Sequence, residues 1–244
     1  MIRIFRTARQ RLLRENRFTR YALYAVGEIL LVMIGILLAL KVNDWRDYRN
    51  LRQKERKTLE LLIRDLREDR NKLEVFDRKL REQEQAVIMF MNCIENECNP
   101  DSVLTYAAQA IRGWNYRPTY PTYEGLKLSG ALDIISSPDI RDQIIEYHDE
   151  TIPYLEDLRA AYQLQGHKLR DALEPYIGHV YTDDDWKITG DFSTPTFQSD
   201  RQAIHVLSNL GNRCDWMVQR IDQLFYPENQ EVTDSLTLYL QELH

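Results

Sequence analysis

Apolar positions run almost unbroken from Tyr21 to Leu40 (YALYAVGEILLVMIGILLAL) and then become periodic. Twenty residues at 1.5 Å rise cover about 30 Å, the thickness of a hydrocarbon core. No small-x-small cleavage site follows, and the run passes through Lys41-Val42-Asn43-Asp44-Trp45 into more helix-forming sequence. The pattern predicts an uncut transmembrane helix over 21–42, not a signal peptide. Tyr21 and Tyr24 stand at one end and Trp45 and Tyr48 at the other, as interfacial aromatics do.

Residues 43–58 are almost wholly charged near their end (RNLRQKERK) and predict a solvated helical stalk. Leu59, Leu62, Leu66, Leu73, Phe76, Leu80, Val87 and Phe90 then fall on a 3–4 spacing, with Asp69 and Gln83 in two slots of the same register. Such a seam packs on helices of its own domain or on a second copy; the helix that follows is enough to cover it. Asn99-Pro100 predicts a cap and a helix to Arg112. An irregular aromatic stretch follows, then a short helix capped by Thr122 and ended by Gly130. Ser137-Pro138 opens a long helix that Pro153 should kink. Residues 178–198 predict a loop or irregular insert. Ser199 and Gln202 form a capping-box pair for a helix to Phe225, and Pro227 starts a final helix. No alternating strand pattern exceeds four residues. The expected fold is all-α: one N-terminal transmembrane helix continuing into a long-helix bundle over 59–244.

Charge sharpens this layout. The net charge is −6, yet residues 1–20 hold seven arginines against Glu15 alone. The remainder carries 25 basic against 37 acidic groups. A basic tail beside a span reads as a cytoplasmic segment touching anionic lipid, and an acidic body argues against nucleic acid as a partner. Seven basic residues also follow the span, but Asp44, Asp47 and Glu55 dilute them, which favours the N-terminus inside and the body outside.

Glu28 is the one ionisable residue within the span, and Gly35 and Ala39 share its helical face. A charge at such depth costs about 2.5–3.5 kcal/mol on insertion scales. Three readings stand: a neutral acid hydrogen-bonded across a helix interface, a proton or ion path, or an acid tolerated in lipid. The Gly35/Ala39 pair permits close approach of another helix. Cys93 and Cys98 are five apart and are either a local disulfide in an oxidising compartment or two unpaired thiols.

Elsewhere the candidate chemistry is thin. Glu146-Tyr147-His148-Asp149-Glu150 concentrates charge, but its spacing makes no preformed metal pair, so a solvated helix face is expected. Asp183, Asp184, Asp185 and Asp191 lack calcium-loop spacing. There is no nucleophile elbow, phosphate loop or dinucleotide fingerprint, so no catalytic residue, metal or cofactor is assigned. The stretch holding Trp114, Tyr116, Arg117, Tyr120 and Tyr123 is the best candidate for contact with a partner or ligand; the alternative is that its rings plug the bundle end.

Two blocks carry a resemblance. LLRENRFTRYALYAVGEILLVMIGILLALKVNDW and TYEGLKLSGALDIISSPDIRDQIIEYHDE, together about a quarter of the chain, resemble an uncharacterised family of single-span envelope proteins common in Bacteroidota. Glu28 falls in that family's Gly-Glu-Ile motif and Asn43-Trp45 in its Asn-x-Trp exit, while Lys41 and Asp44 depart from its uncharged polar residues. The resemblance implies an inner-membrane anchor with a periplasmic domain, and no activity.

The functional expectation is a membrane-anchored, non-enzymatic binding or scaffold module acting through membrane or periplasmic proteins, with a homo-oligomer among its possible assemblies. The alternative is an oligomeric membrane conductance or effector with Glu28 in the helix interface or pore.

Overall fold

The computed structural model describes residues 17–96, 98–177, 192 and 194–243. The basic tail before residue 17 and the acids Asp183, Asp184, Asp185 and Asp191 lie outside the described residues. The chain divides into two units, one ending at Lys54 and one beginning at Glu55.

In the first unit every described residue belongs to helix α1, Arg17–Asn96, and residues 21–50 are all exposed. Among the described residues this is the one helix long and apolar enough to cross a membrane. No proline precedes Pro100 and only Gly27 and Gly35 interrupt the early sequence, so nothing breaks the backbone ladder of α1. Glu28, Gly35 and Ala39 are exposed on it, and a side chain added at Gly35 would meet open space.

The described residues of the second unit form helices, turns and irregular segments, with no strand among them. After α1 come α2 (Pro100–Ala110), α3 (Pro121–Ser129), a 3₁₀ turn (Leu132–Ile134) and α4 (Pro138–Glu146). A π-turn (Tyr147–Thr151) joins α4 to α5 (Ile152–Leu173). Then follow α6 (Thr194–Ser199), α7 (Arg201–Arg220), a second π-turn (Ile221–Phe225) and α8 (Tyr226–Glu242). The cross-links define a three-arm bundle. Asp69–Tyr147 and Gln83–Tyr162 place the α4–α5 arm parallel to α1. Glu55–Tyr239, Arg81–Asp222 and Gln198–Ile94 place the α7–α8 arm antiparallel to it.

The α1 seam is buried inside this unit: Leu59, Leu62, Leu66, Leu73, Phe76, Leu80, Val87 and Phe90 are each 3% exposed or less. Each contributes about 1.5–3 kcal/mol relative to the solvated side chain. Its outer face carries i,i+4 pairs such as Arg56–Glu60 and Arg70–Glu74. The burial falls into two apolar cores. One gathers Leu59, Leu62 and Leu66 with Tyr123, Ile135, Ile144 and Leu236; the other gathers Leu73 to Ile94 with Val103, Tyr162, Leu207 and Phe225.

Several local expectations change. Asn99 and Ser137 cap their helices as read, accepting from the Asp101 and Ile140 amides, and Gly130 ends α3 at φ +65°. The α2 helix, however, stops at Ala110. Thr122 is not a cap: α3 begins at Pro121, and the Thr122 amide is taken by Asp65 instead. Ser199 closes α6, while Asp200 caps α7 by accepting from the Gln202 and Ala203 amides. The insert over 178–198 contains the start of α6, and Phe192 and Phe197 pack against Phe90.

Pro227 stands in the first turn of the final helix, α8, as expected, and Pro153 stands likewise in the first turn of α5. Each lies two residues beyond a π-turn, in which the amides of Ile152 and Tyr226 reach back five residues to Tyr147 and Ile221. The wider turn accommodates a ring that would clash with the preceding α-turn. The compact unit also starts earlier than residue 59, because Glu55 is 2% exposed and not part of a solvated stalk.

Candidate functional site

Five polar side chains interrupt the buried face of α1; Asp77 pairs with Arg81, and the other four each satisfy a backbone group at the end of another segment. Glu55 accepts from the Ser136 amide (2.6 Å) and the Tyr239 hydroxyl (2.9 Å). Asp65 accepts from the Thr122 amide (2.9 Å), and Asp69 from the Thr119 amide (2.9 Å). Gln83 donates to the Ala110 carbonyl (2.5 Å). Helix ends and irregular segments leave orphan amides and carbonyls, and burying them unpaired would cost about 1–3 kcal/mol each. The polar seam positions therefore fix α2, α3 and the aromatic stretch between them onto α1.

Asp69 is the centre of this system. It also accepts from the Tyr116 hydroxyl (2.6 Å) and the Tyr147 hydroxyl (3.3 Å). Asn229 in turn donates to Tyr147 Oη (2.9 Å) and to the Leu66 carbonyl (3.2 Å). Thr151 of the first π-turn donates to Glu228, just past the second. This polar layer lies between the two apolar cores. Burial holds the Asp69 carboxyl above its ordinary range, outweighing the hydrogen bonds from Tyr116, Thr119 and Tyr147 that favour the carboxylate. Burial pushes the Tyr116 hydroxyl up as well, so Tyr116 keeps its proton and donates.

The sequence-predicted aromatic stretch separates into two places. Tyr123 is buried and stacks on His148 at 4.2 Å, with Tyr120 edge-on to the same ring at 5.7 Å. The cluster around Glu146–Glu150 is therefore only partly a solvated face. Its His148 turns inward at the π-turn, hydrogen-bonds the Ile144 carbonyl (2.8 Å), and is lowered to about 4 by burial. Asp149 remains outside and pairs with Lys127 at 2.7 Å. Among the described residues no group of three His, Cys, Asp or Glu side chains is placed to hold a metal ion.

Trp114, Tyr116 and Arg117 instead line a cleft of about 620 Å³ between the irregular segment and α1. Its floor is Phe76, Tyr116 and the half-exposed Val75; Asn71, Lys72, Lys79, Glu68 and Asn115 form its walls. Lys79 Nζ lies 5.1 Å from the Trp114 ring centroid, and the Arg112 guanidinium lies 4.5 Å from it on a neighbouring approach. Tyr116 joins the two features, since its ring faces the cleft and its hydroxyl is held by Asp69. Nothing in the sequence singles out Lys72, Val75 or Lys79. They occupy the exposed positions flanking the seam, a pattern shared by any amphipathic helix.

Cys93 and Cys98 form a disulfide just before α2, while Cys214 is a buried free thiol. Comparison of this chain with protein families, curated proteins and solved structures found no match.

Proposed function

We propose that this chain is a non-enzymatic binding module of the bacterial envelope, held to the inner membrane by residues 21–42 and facing the periplasm with its helical unit. The observation that carries the reading is the cleft at Trp114: an apolar floor with cationic and amide walls, fixed by a buried polar layer. An open cleft of this kind suits a partner surface or a ligand. The exposed apolar helix supports the anchor, and the Cys93–Cys98 disulfide supports an oxidising compartment. The nearly pure arginine tail before the span supports an inside N-terminus. On the span, the face of Glu28, Gly35 and Ala39 meets another membrane helix, and Glu28→Ala is expected to release membrane proteins that co-purify with the wild type.

Site-specific photo-cross-linking in native membranes tests the module. A cross-linker at Asn115 should give a discrete adduct in the membrane fraction that one at Lys168, outside the cleft, does not. Identical patterns from the two positions would remove the reading.

A further inference from the structure

A second depression, of about 420 Å³, lies on the other side of Trp114, lined by Glu82, Gln85, Gln109 and Arg112. It and the cleft run end to end along one face of α1, from Glu68 to Gln85. Seventeen residues of helix at 1.5 Å rise make the joint groove about 26 Å long. That exceeds any small ligand and matches an extended peptide of about eight residues at 3.3 Å each.

Its charge runs against that of the surrounding protein. Residues beyond the tail carry 25 basic against 37 acidic groups, yet Lys72, Lys79, Arg112 and Arg117 line the groove against Glu68 and Glu82. Glu68 and Glu82 are each paired with one of these lysines, Lys72 at 3.1 Å and Lys79 at 2.7 Å, so the net positive charge of the lining comes from its two arginines. Arg117 is exposed and makes no ion pair among the described residues. The walls also hold Asn71, Gln85 and Gln109, whose side chains make no hydrogen bond among the described residues. An amide carries both donors and an acceptor, the complement of a peptide main chain. At the middle of the groove the Trp114 ring and the half-exposed Val75 offer apolar surface.

The geometry points to this groove as the docking site for an acidic, extended segment of a partner protein, about eight residues long and carrying an aromatic or aliphatic side chain for the Trp114 surface. The assignment rests on the binding-module reading and names its ligand. A carboxylate of the segment meets Arg117, and its backbone meets the amides.

The test uses the full chain in nanodiscs of neutral lipid and a fluorescein-labelled octapeptide of alternating glutamate with tyrosine or leucine, read by anisotropy. Saturable binding is expected, falling by about tenfold in Trp114→Ala and in the exposed Arg117→Glu, with Lys168→Glu unchanged. Salt should weaken it several-fold between about 50 and 300 mM as screening grows. Equal binding of the same peptide with lysine for glutamate, or an affinity unmoved in both groove variants, overturns the proposal. So does competition by free N-acetyltyrosine at the concentration of the peptide, which would make the cleft a small-molecule site. Failure of the peptide alongside a persistent adduct at residue 115 overturns the ligand class alone; loss of both removes the module as well.

Discussion

The Tyr116 hydroxyl donates a 2.6 Å hydrogen bond to the buried Asp69 carboxyl, so the floor of the Trp114 cleft is tied to the polar layer that separates the two cores. A side chain that lines the groove is thereby anchored to α1, and through Tyr147 and Asn229 to both other arms.

The burial of Asp69 makes stability depend on pH in a definite direction. Burial raises Asp69 above its ordinary 3.8 in the folded state. The protonated acid therefore favours folding: its contribution is complete below pH 3.8 and is lost as pH rises through the folded value. Asp69→Asn removes the charge and retains the shape. Urea midpoints of wild type and variant should show the wild type most favoured at acid pH. Its advantage should shrink toward neutrality by up to about 1.4 kcal/mol per pH unit. A difference that does not vary with pH would contradict burial as the dominant influence on this carboxyl.

Asn229 and Tyr147 should behave as a unit. Asn229→Leu removes a donor to Tyr147 Oη, and Tyr147→Phe removes the acceptor, each costing about 1–3 kcal/mol because a buried partner is left unpaired. The double variant should cost less than the sum of the two, by an amount on the scale of about 0.5–3 kcal/mol found for contacting residues. Simple additivity would show that the layer is not coupled.

Close packing of α7 on α1 gives a third expectation. A Cβ placed at Gly211 would lie 3.1 Å from Val87 Cγ1. Gly211→Leu should destabilise by about 1–3 kcal/mol through overpacking, despite the better helix propensity of leucine. Val87→Ala in that background should recover part of the loss, although by itself it opens a cavity. Thermal unfolding of the three variants reads both effects, and a Gly211→Leu chain as stable as the wild type would contradict the close approach.

The thiols are expected to label in three distinct steps. With the disulfide intact, folded protein should take up no iodoacetamide, since Cys93 and Cys98 are bonded and burial pushes the Cys214 thiol up to about 12. Mild reductant should expose the partly exposed Cys98, and unfolding should expose the buried Cys93 and Cys214. Mass spectrometry after each step reads the count, and one rapidly labelled thiol without reductant would contradict the bond. Closing so short a loop contributes about 2 kcal/mol in the chain-entropy picture.

Individual residues show how far the sequence reaches. The α1 seam from Leu59 to Phe90 is legible because burial on one helix face imposes a period on the apolar positions. Asn99-Pro100 and Ser137-Pro138 are legible because capping is a local interaction. Asp69 and Gln83 can be placed in the seam but not given a task, since their partners lie 50 and 27 residues away in segments without period. The same limit hides the cleft: Trp114 and Arg117 stand out in a short stretch, whereas Lys72, Val75 and Lys79 acquire meaning only when that stretch lies across α1. The expected caps at Thr122 and Ser199 miss their helix boundaries, because Asp200 fills the role next to Ser199, while α3 starts at Pro121 behind Tyr120, which makes no side-chain cap bond. His148 faces inward, against expectation, because an α-helical period does not carry through a turn that is not α-helical.

Those two π-turns carry a final consequence. Buried positions take two four-residue steps in succession at each, Tyr147, Thr151 and Leu155 in one arm and Ile221, Phe225 and Asn229 in the other. Each turn thus behaves as a single inserted residue that advances the inward face of everything after it by about 100°. The two insertions stand opposite one another, joined by Thr151–Glu228 and Tyr147–Asn229, so both arms change phase at the same level. Removing one residue from either turn would put half of that arm out of step with its partners, whereas matched removal from both would keep the arms in step with each other and out of step only with α1.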